Sequence, residues 1–348
     1  MLKFQNILVI GISYRIIIYL FLVLMPFQHN DFGSISPLSF QEFADMTIYR
    51  DFSDSPELDF GWSNFFSNYY SILTLNISNV DNRFPGPLFS IILIITQYSK
   101  DFPYLLSLVI FFSEITAYLI WSYKKFKDYS IYPLLFFSFM PIPLYFGFMH
   151  STDIIFYLLF TLLYFEIKDS PRKSILFILF FLILCLRPNS VLIFLACSIY
   201  FLFIDKNKYF IKLSLLFFLL SLFYYSPYFF YEMALLKTFE VDVISYGILD
   251  VLFLLINYIK KVIFLLGFVP SDSGNNYFYL LRCCCGVIFL IGLIRLYYKK
   301  TSKLDMLFVG FFVFGTATFF FPAYRYILPI TPILISYFCE FVFKKPIN

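Results

Sequence analysis

The chain has 348 residues, 61% of them hydrophobic and only 14% charged, with a formal net charge of +4 and a mean hydropathy of +0.81. That composition excludes a pair of ordinary soluble domains, and so small a net charge gives no footing for a nucleic-acid partner. It fits one polytopic membrane domain over residues 1–348, because apolar runs of about 20 residues recur and only helices satisfy such backbones in lipid.

The first run, 7–25, carries Arg15 in mid-span and precedes no small-residue cleavage pattern, which predicts an uncleaved helix rather than a signal peptide. Residues 27–84 then form a long acidic segment, with Asp31, Glu42, Asp45, Asp51, Asp54, Glu57, Asp59 and Asp81 against Arg50 and Arg83. The apolar stretch 85–97 is too short to cross and reads as a re-entrant or interfacial helix. Spans are expected at 103–122, 131–148, 154–166, 174–186, 190–204 and 213–229. A second polar segment, 231–276, holds an apolar stretch at 248–269, which Lys260 and Lys261 break and which is expected along the outer surface. The last spans are 277–296, 304–321 and 327–343, for about ten crossings in all. The fold class is therefore an all-α integral membrane bundle with interfacial helices in its outer loops.

Basic clusters fall at Lys3, at Lys124, Lys125 and Lys127, at Lys168, Arg172 and Lys173, at Lys206, Lys208 and Lys212, at Lys299, Lys300 and Lys303, and at Lys344 and Lys345. Placing all of them in the cytoplasm obeys the positive-inside rule. Both termini are then cytoplasmic, and segments 27–84 and 231–276 face outward, into the periplasm of a bacterial inner membrane or the lumen of the endoplasmic reticulum in a eukaryote. The six cysteines, Cys283, Cys284 and Cys285 among them, have no metal-ligand spacing and read as small apolar residues.

Two charges lie too deep for this rule. Arg15 and Glu114 each sit about 12 Å from the cytoplasmic end of their spans, at 1.5 Å per residue. An unpaired charge there costs several kcal/mol, which predicts that the two pair between the first two spans. The other isolated charges gather on the outer face: Asp45, Asp51 and Arg83 in the first loop, His150 and Asp153 in one turn, Arg187 in another, and Arg325 before the last span. Such a gathering is either a ligand site or the ordinary solvation of helix ends.

Four of these segments resemble the GT-C superfamily of glycosyltransferases, multi-pass enzymes that use polyprenyl-phosphate-linked sugars, in the manner of its mannosyltransferase-like and GPI-mannosyltransferase-like branches. Ala44-Asp45-Met46-Thr47-Ile48-Tyr49 is similar to the first-loop D-x-x-x-Y segment, and Phe84-Pro85-Gly86-Pro87-Leu88-Phe89 to the element that opens a short outer helix. Leu186-Arg187-Pro188-Asn189-Ser190 resembles the R-x-N turn, and Tyr324-Arg325-Tyr326-Ile327-Leu328-Pro329 the RYLLP turn, followed by Pro332. The chain departs from the pattern in having no D-x-D or E-x-D pair beside Asp45 and no large soluble domain after the last span.

The resemblance implies an inverting transfer from a polyprenyl-phosphate sugar to a lipid-linked or envelope glycan. Asp45 is then the catalytic carboxylate, unless it only caps the loop helix that follows. Arg325, Arg187 and Arg83 are the candidates for the donor phosphate, since guanidinium matches phosphate oxygens in pairs; for Arg325 the alternative is an interfacial anchor beside Tyr324 and Tyr326. Tyr49, His150, Asp153, Tyr326 and Lys260 are candidates to hold substrate. No cofactor is certain; a divalent cation, Mg or Mn, would fall to Asp51 and Asp54, which otherwise are solvated loop acids. Two other readings remain: a repeat-unit polymerase of the O-antigen type, and a lipid-linked-oligosaccharide flippase, which would place charges along a central path between pseudo-repeats.

Overall fold

Long apolar runs leave the backbone one inexpensive option in lipid, and the chain takes it: the described residues form helices and no strand. The computed structural model describes residues 3–24, 88, 91–92, 95, 104–127, 131–140, 152–239, 256, 258–263, 265–268, 276–299, 302–319 and 324–343. In chain order the helices are α1 (Phe4–Leu24), α2 (Tyr104–Trp121), α3 (Ile131–Phe139), α4 (Thr152–Asp169) and α5 (Lys173–Leu184). There follow α6 (Ser190–Tyr200), α7 (Lys208–Phe239), α8 (Asn276–Lys299), α9 (Lys303–Gly310) and α10 (Thr331–Phe343).

Short irregular turns extend several of them. π-turns continue α2 over Ser122–Phe126, α6 over Phe201–Asp205 and α9 over Phe311–Gly315; α9 then adds a last turn, Thr316–Phe319. A 3-10 run, Tyr324–Ile330, leads into α10. Lys206 closes the turn after α6 in the left-handed region, at φ 57°, with its N–H on the Phe201 carbonyl at 2.7 Å.

Among the described residues three helical stretches are long and apolar enough to cross a membrane: Leu105–Phe126, Lys208–Ser226 and Tyr326–Phe343. Phe4–Leu20, Lys173–Leu184 and Ser190–Asp205 are shorter apolar helices. This is a membrane protein. α4 lies at its centre, with 13 of its 18 residues buried, which explains why its apolar pattern runs all round the helix. α10, packed along α8, is also largely buried, as is α6. Gly292 of α8 permits that approach, since a Cβ there would collide with the Leu334 carbonyl. α5 and α7 turn Phe177, Ile178, Leu219 and Phe223 outward, as helices facing lipid do.

The helix ends sort into a basic end and an opposite end. At the basic end Lys124 pairs with Asp169, Arg172 holds Glu166 at 2.8 Å, and both Arg295, at 2.8 Å, and Lys299 reach Glu340. Rings of Tyr132 and Phe343 stack there at 3.9 Å. Alternate helices thus run in opposite directions, in the order that the lysine clusters call for.

The expected pair is present. Arg15 Nε donates to Glu114 Oε1 at 2.8 Å, with both side chains fully buried. Arg15 does more than neutralise: Nη1 donates to the Ser138 carbonyl at 3.0 Å and Nη2 to the Phe137 carbonyl at 3.3 Å. Those are last-turn carbonyls of α3, left without intrahelical partners where that helix ends. The guanidinium also lies 3.8 Å over the Tyr118 ring.

Other expectations need correction. The third span does not run as one helix over 131–148: α3 stops at Phe139 and Met140 is non-helical, because Pro141 disfavours helix at the residue before it and Pro143 follows. α7 runs to Phe239, through Pro227 and into the segment read as an outer loop. Its 32 residues measure about 48 Å, more than the roughly 30 Å of hydrocarbon. Lys260 and Lys261 lie in a helical stretch, 258–263, that exposes Ile259, Lys260 and Ile263. After it Leu265 and Leu266 are buried, and the Tyr258 hydroxyl donates to the Phe314 carbonyl at 3.0 Å.

Candidate functional site

The end opposite the lysines is where the predicted site should assemble. Pro188, with no N–H to lose, sits in the turn between α5 and α6, and three successive short bonds wind it: Ser190 N–H to the Arg187 carbonyl, Val191 to Pro188 and Leu192 to Asn189, each at 3.1 Å. This turn projects Arg187 against the first turn of α4, where its Nη1 donates to Asp153 Oδ1 in an ion pair. The guanidinium carbon lies 5.0 Å from the Tyr326 ring centre and 5.4 Å from that of Phe156. Arg187 and Asp153 are 9% and 4% exposed, so the pair is largely withdrawn from solvent, where charge–charge and cation–π attraction gain strength.

Tyr326 comes from the 3-10 run before α10. It packs with Val191, Leu192, Leu265 and Ala317 in a small apolar cluster distinct from the main core. Leu88 joins from the front of the chain: its N–H donates to the Cys185 carbonyl at 2.9 Å, at the end of α5 and two residues before Arg187. Leu88 and Ile92 face the core while Ile91 and Ile95 are exposed, the one-sided pattern expected of an interfacial helix. Among the described residues the Ser190 and Thr316 hydroxyls are buried without hydrogen-bond partners.

Of the predicted residues, then, Arg187, Asp153 and Tyr326 are brought together. The first two bind each other, and the buried Tyr326 ring packs against the Arg187 guanidinium. Lys260 is exposed, on the helical stretch that also buries Leu265. Asp45, Tyr49, Asp51, Asp54, Arg83 and His150 lie outside the described residues, as does the Arg325 side chain, whose backbone is in the 3-10 run. No family model, no curated protein and no solved structure matches the chain. Among the described residues no three His, Cys, Asp or Glu side chains gather as metal ligands.

Charge counting missed a second polar centre, at the basic end. Lys125, read as part of a solvated cytoplasmic cluster, is 4% exposed and pairs with Asp305 at 3.3 Å. The Tyr164 hydroxyl donates to Asp305 Oδ1 at 2.6 Å and Tyr337 to Oδ2 at 3.0 Å. Ser302 caps α9 by accepting the Asp305 N–H at 3.2 Å, which fixes the carboxylate. The signal in the sequence was Asp305 itself, a lone acid among lysines three residues after a serine.

Proposed function

We propose that the chain is a membrane glycosyltransferase of the GT-C type, moving a sugar from a polyprenyl-phosphate donor to a lipid-linked or envelope glycan. The reaction face is the end opposite the lysines, the periplasmic side of a bacterial inner membrane, with both termini and about ten crossings arranged accordingly. One observation carries the reading. Three of the four family-like segments meet: the Leu88 segment is bonded to Cys185 beside the Arg187 turn, and Arg187 lies over Tyr326 of the third. Segments nearly 240 positions apart converge, as a site drawn from several loops requires.

In this mechanism Asp45 takes the acceptor hydroxyl's proton as that oxygen attacks the anomeric carbon. The bond from that carbon to the phosphate oxygen breaks, and the sugar inverts. Charge grows on the departing polyprenyl phosphate, where Arg325 and Arg83 neutralise it. Arg187, held by its ion pair with Asp153 and by two aromatic faces, meets the phosphate in a set orientation rather than as a mobile cation. The test is turnover in membranes supplied with a panel of polyprenyl-phosphate monosaccharides beside a polyprenyl-diphosphate repeat unit. Transfer from a monosaccharide phosphate supports the proposal; chain growth from the diphosphate unit alone replaces it with a polymerase.

A further inference from the structure

A second polar site lies inside the bundle, independent of the reaction proposed above. α2 and α4 run side by side in the same direction, and their facing side chains meet at successive levels. Trp121 Nε1 donates to Thr161 Oγ1 at 2.9 Å, Lys125 Nζ to the Tyr164 hydroxyl at 3.2 Å, and Lys124 pairs with Asp169. These partners stand 40, 39 and 45 positions apart. Glu114 is seven residues before Trp121 and Tyr157 four before Thr161, each a step that returns to the same helix face. At 1.5 Å per residue Glu114 stands about 10 Å beyond Trp121 and Tyr157 about 6 Å beyond Thr161, so the two lie on the facing stripes toward the same end, within about one helical turn of each other.

Both carry an unmet need. Glu114 Oε1 accepts from Arg15, but among the described residues Glu114 Oε2 and the Tyr157 hydroxyl are buried with no hydrogen-bond partner. Leaving either so would be costly at this depth. The two needs are complementary: a carboxylate oxygen lacks a donor, and a phenol has a proton to give.

We infer that Glu114 Oε2 and the Tyr157 hydroxyl form a binding site for one water molecule within the membrane-spanning bundle. Water donates one O–H to the carboxylate and accepts the phenol proton, which no apolar guest does. A cation is the wrong guest, because Arg15 already cancels Glu114 and a further charge would stand uncompensated. Toward the basic end the site is closed: the Trp121 N–H occupies the Thr161 hydroxyl, which in turn donates to the Tyr157 carbonyl at 2.7 Å. The water belongs to a network joining α1, α2, α3 and α4 and keeps Glu114 in place as the partner of Arg15.

The experiment is infrared difference spectroscopy of the full chain in lipid nanodiscs, before and after exchange into heavy-oxygen water. A band of a strongly bonded internal water should shift on exchange in the wild type, vanish in Tyr157→Phe, move in Glu114→Gln and persist in Tyr298→Phe, whose ring is 82% exposed. Thermal midpoints should be equal in sodium, potassium and choline chloride. No exchange-sensitive band in the wild type, or one that survives Tyr157→Phe, overturns the assignment. So does a sodium- or potassium-specific rise in midpoint that Glu114→Gln abolishes, which would make the guest a cation. Should Tyr157→Phe fail to fold, an unmoved band in Glu114→Gln overturns it alone.

Discussion

Replacing Arg15 with methionine isolates what the buried guanidinium contributes, because the substitution keeps much of the side-chain length and removes four hydrogen bonds and the charge. Glu114 is left as a carboxylate with no protein donor on either oxygen, in a site with no solvent exposure. Breaking a buried pair from one side costs about 3–5 kcal/mol. Glu114→Gln is milder: the amide oxygen still accepts from Nε, and Arg15 keeps the Gly11, Phe137 and Ser138 carbonyls and the Tyr118 ring, for a loss of about 1–2 kcal/mol. The double variant Arg15→Met, Glu114→Leu should recover to within about 2 kcal/mol of wild type, since the charge problem disappears and only the carbonyls at the end of α3 stay uncapped, at about 1 kcal/mol each. The assay is equilibrium unfolding of the purified chain in one detergent, with all four proteins side by side. Equal stability of Arg15→Met and wild type, or a larger loss in Glu114→Gln than in Arg15→Met, would refute the assignment of Arg15 as both ion-pair partner and cap.

Gly292→Ala should lower stability by about 1–3 kcal/mol, the cost of overpacking, because its Cβ meets backbone at the Leu334 carbonyl; Gly310→Ala, which meets only the Tyr297 hydroxyl end, should cost less in the same unfolding assay. Lys125→Met should destabilise by about 3–5 kcal/mol by stranding Asp305, whereas Tyr337→Phe, removing one of its donors, should cost about 1 kcal/mol. Arg187→Lys loses the planar fork between Phe156 and Tyr326, and kcat/KM for sugar transfer should fall roughly tenfold or more.

Depth and charge carried much of the fold. Arg15 and Glu114 could be paired from sequence because each was an unaffordable charge at the same distance from a basic cluster, and the structure joins them. The lysine clusters likewise sorted helix directions correctly, since a basic residue near a span end reports which end it is. Counting failed where it ignored local chemistry. Lys125 looks like its neighbours Lys124 and Lys127, and only the arrival of Asp305 from 180 positions away distinguishes it. Pro141 and Pro143 lie inside an apolar run yet stop α3, whereas α7 continues through Pro227 and past Phe229, where the apolar run gives way to polar residues. At the candidate site Asp153 and Arg187 are legible from charges on one face, and Tyr326 only from the segment that resembles the family turn. That Arg187 would spend a donor on Asp153 was not, because pairing of that kind depends on the angle at which a turn presents a side chain.

The account rests most heavily on Asp45. Membranes carrying wild type or Asp45→Asn, matched for protein level, should be supplied with a labelled polyprenyl-phosphate sugar and a glycan acceptor, and the labelled product counted. Steady transfer by the wild type and a loss of at least about a hundredfold in Asp45→Asn is the expected result, the scale of a missing general base. Equal transfer by the two proteins contradicts the catalytic assignment, and no transfer by wild type from any such donor contradicts the proposed function itself.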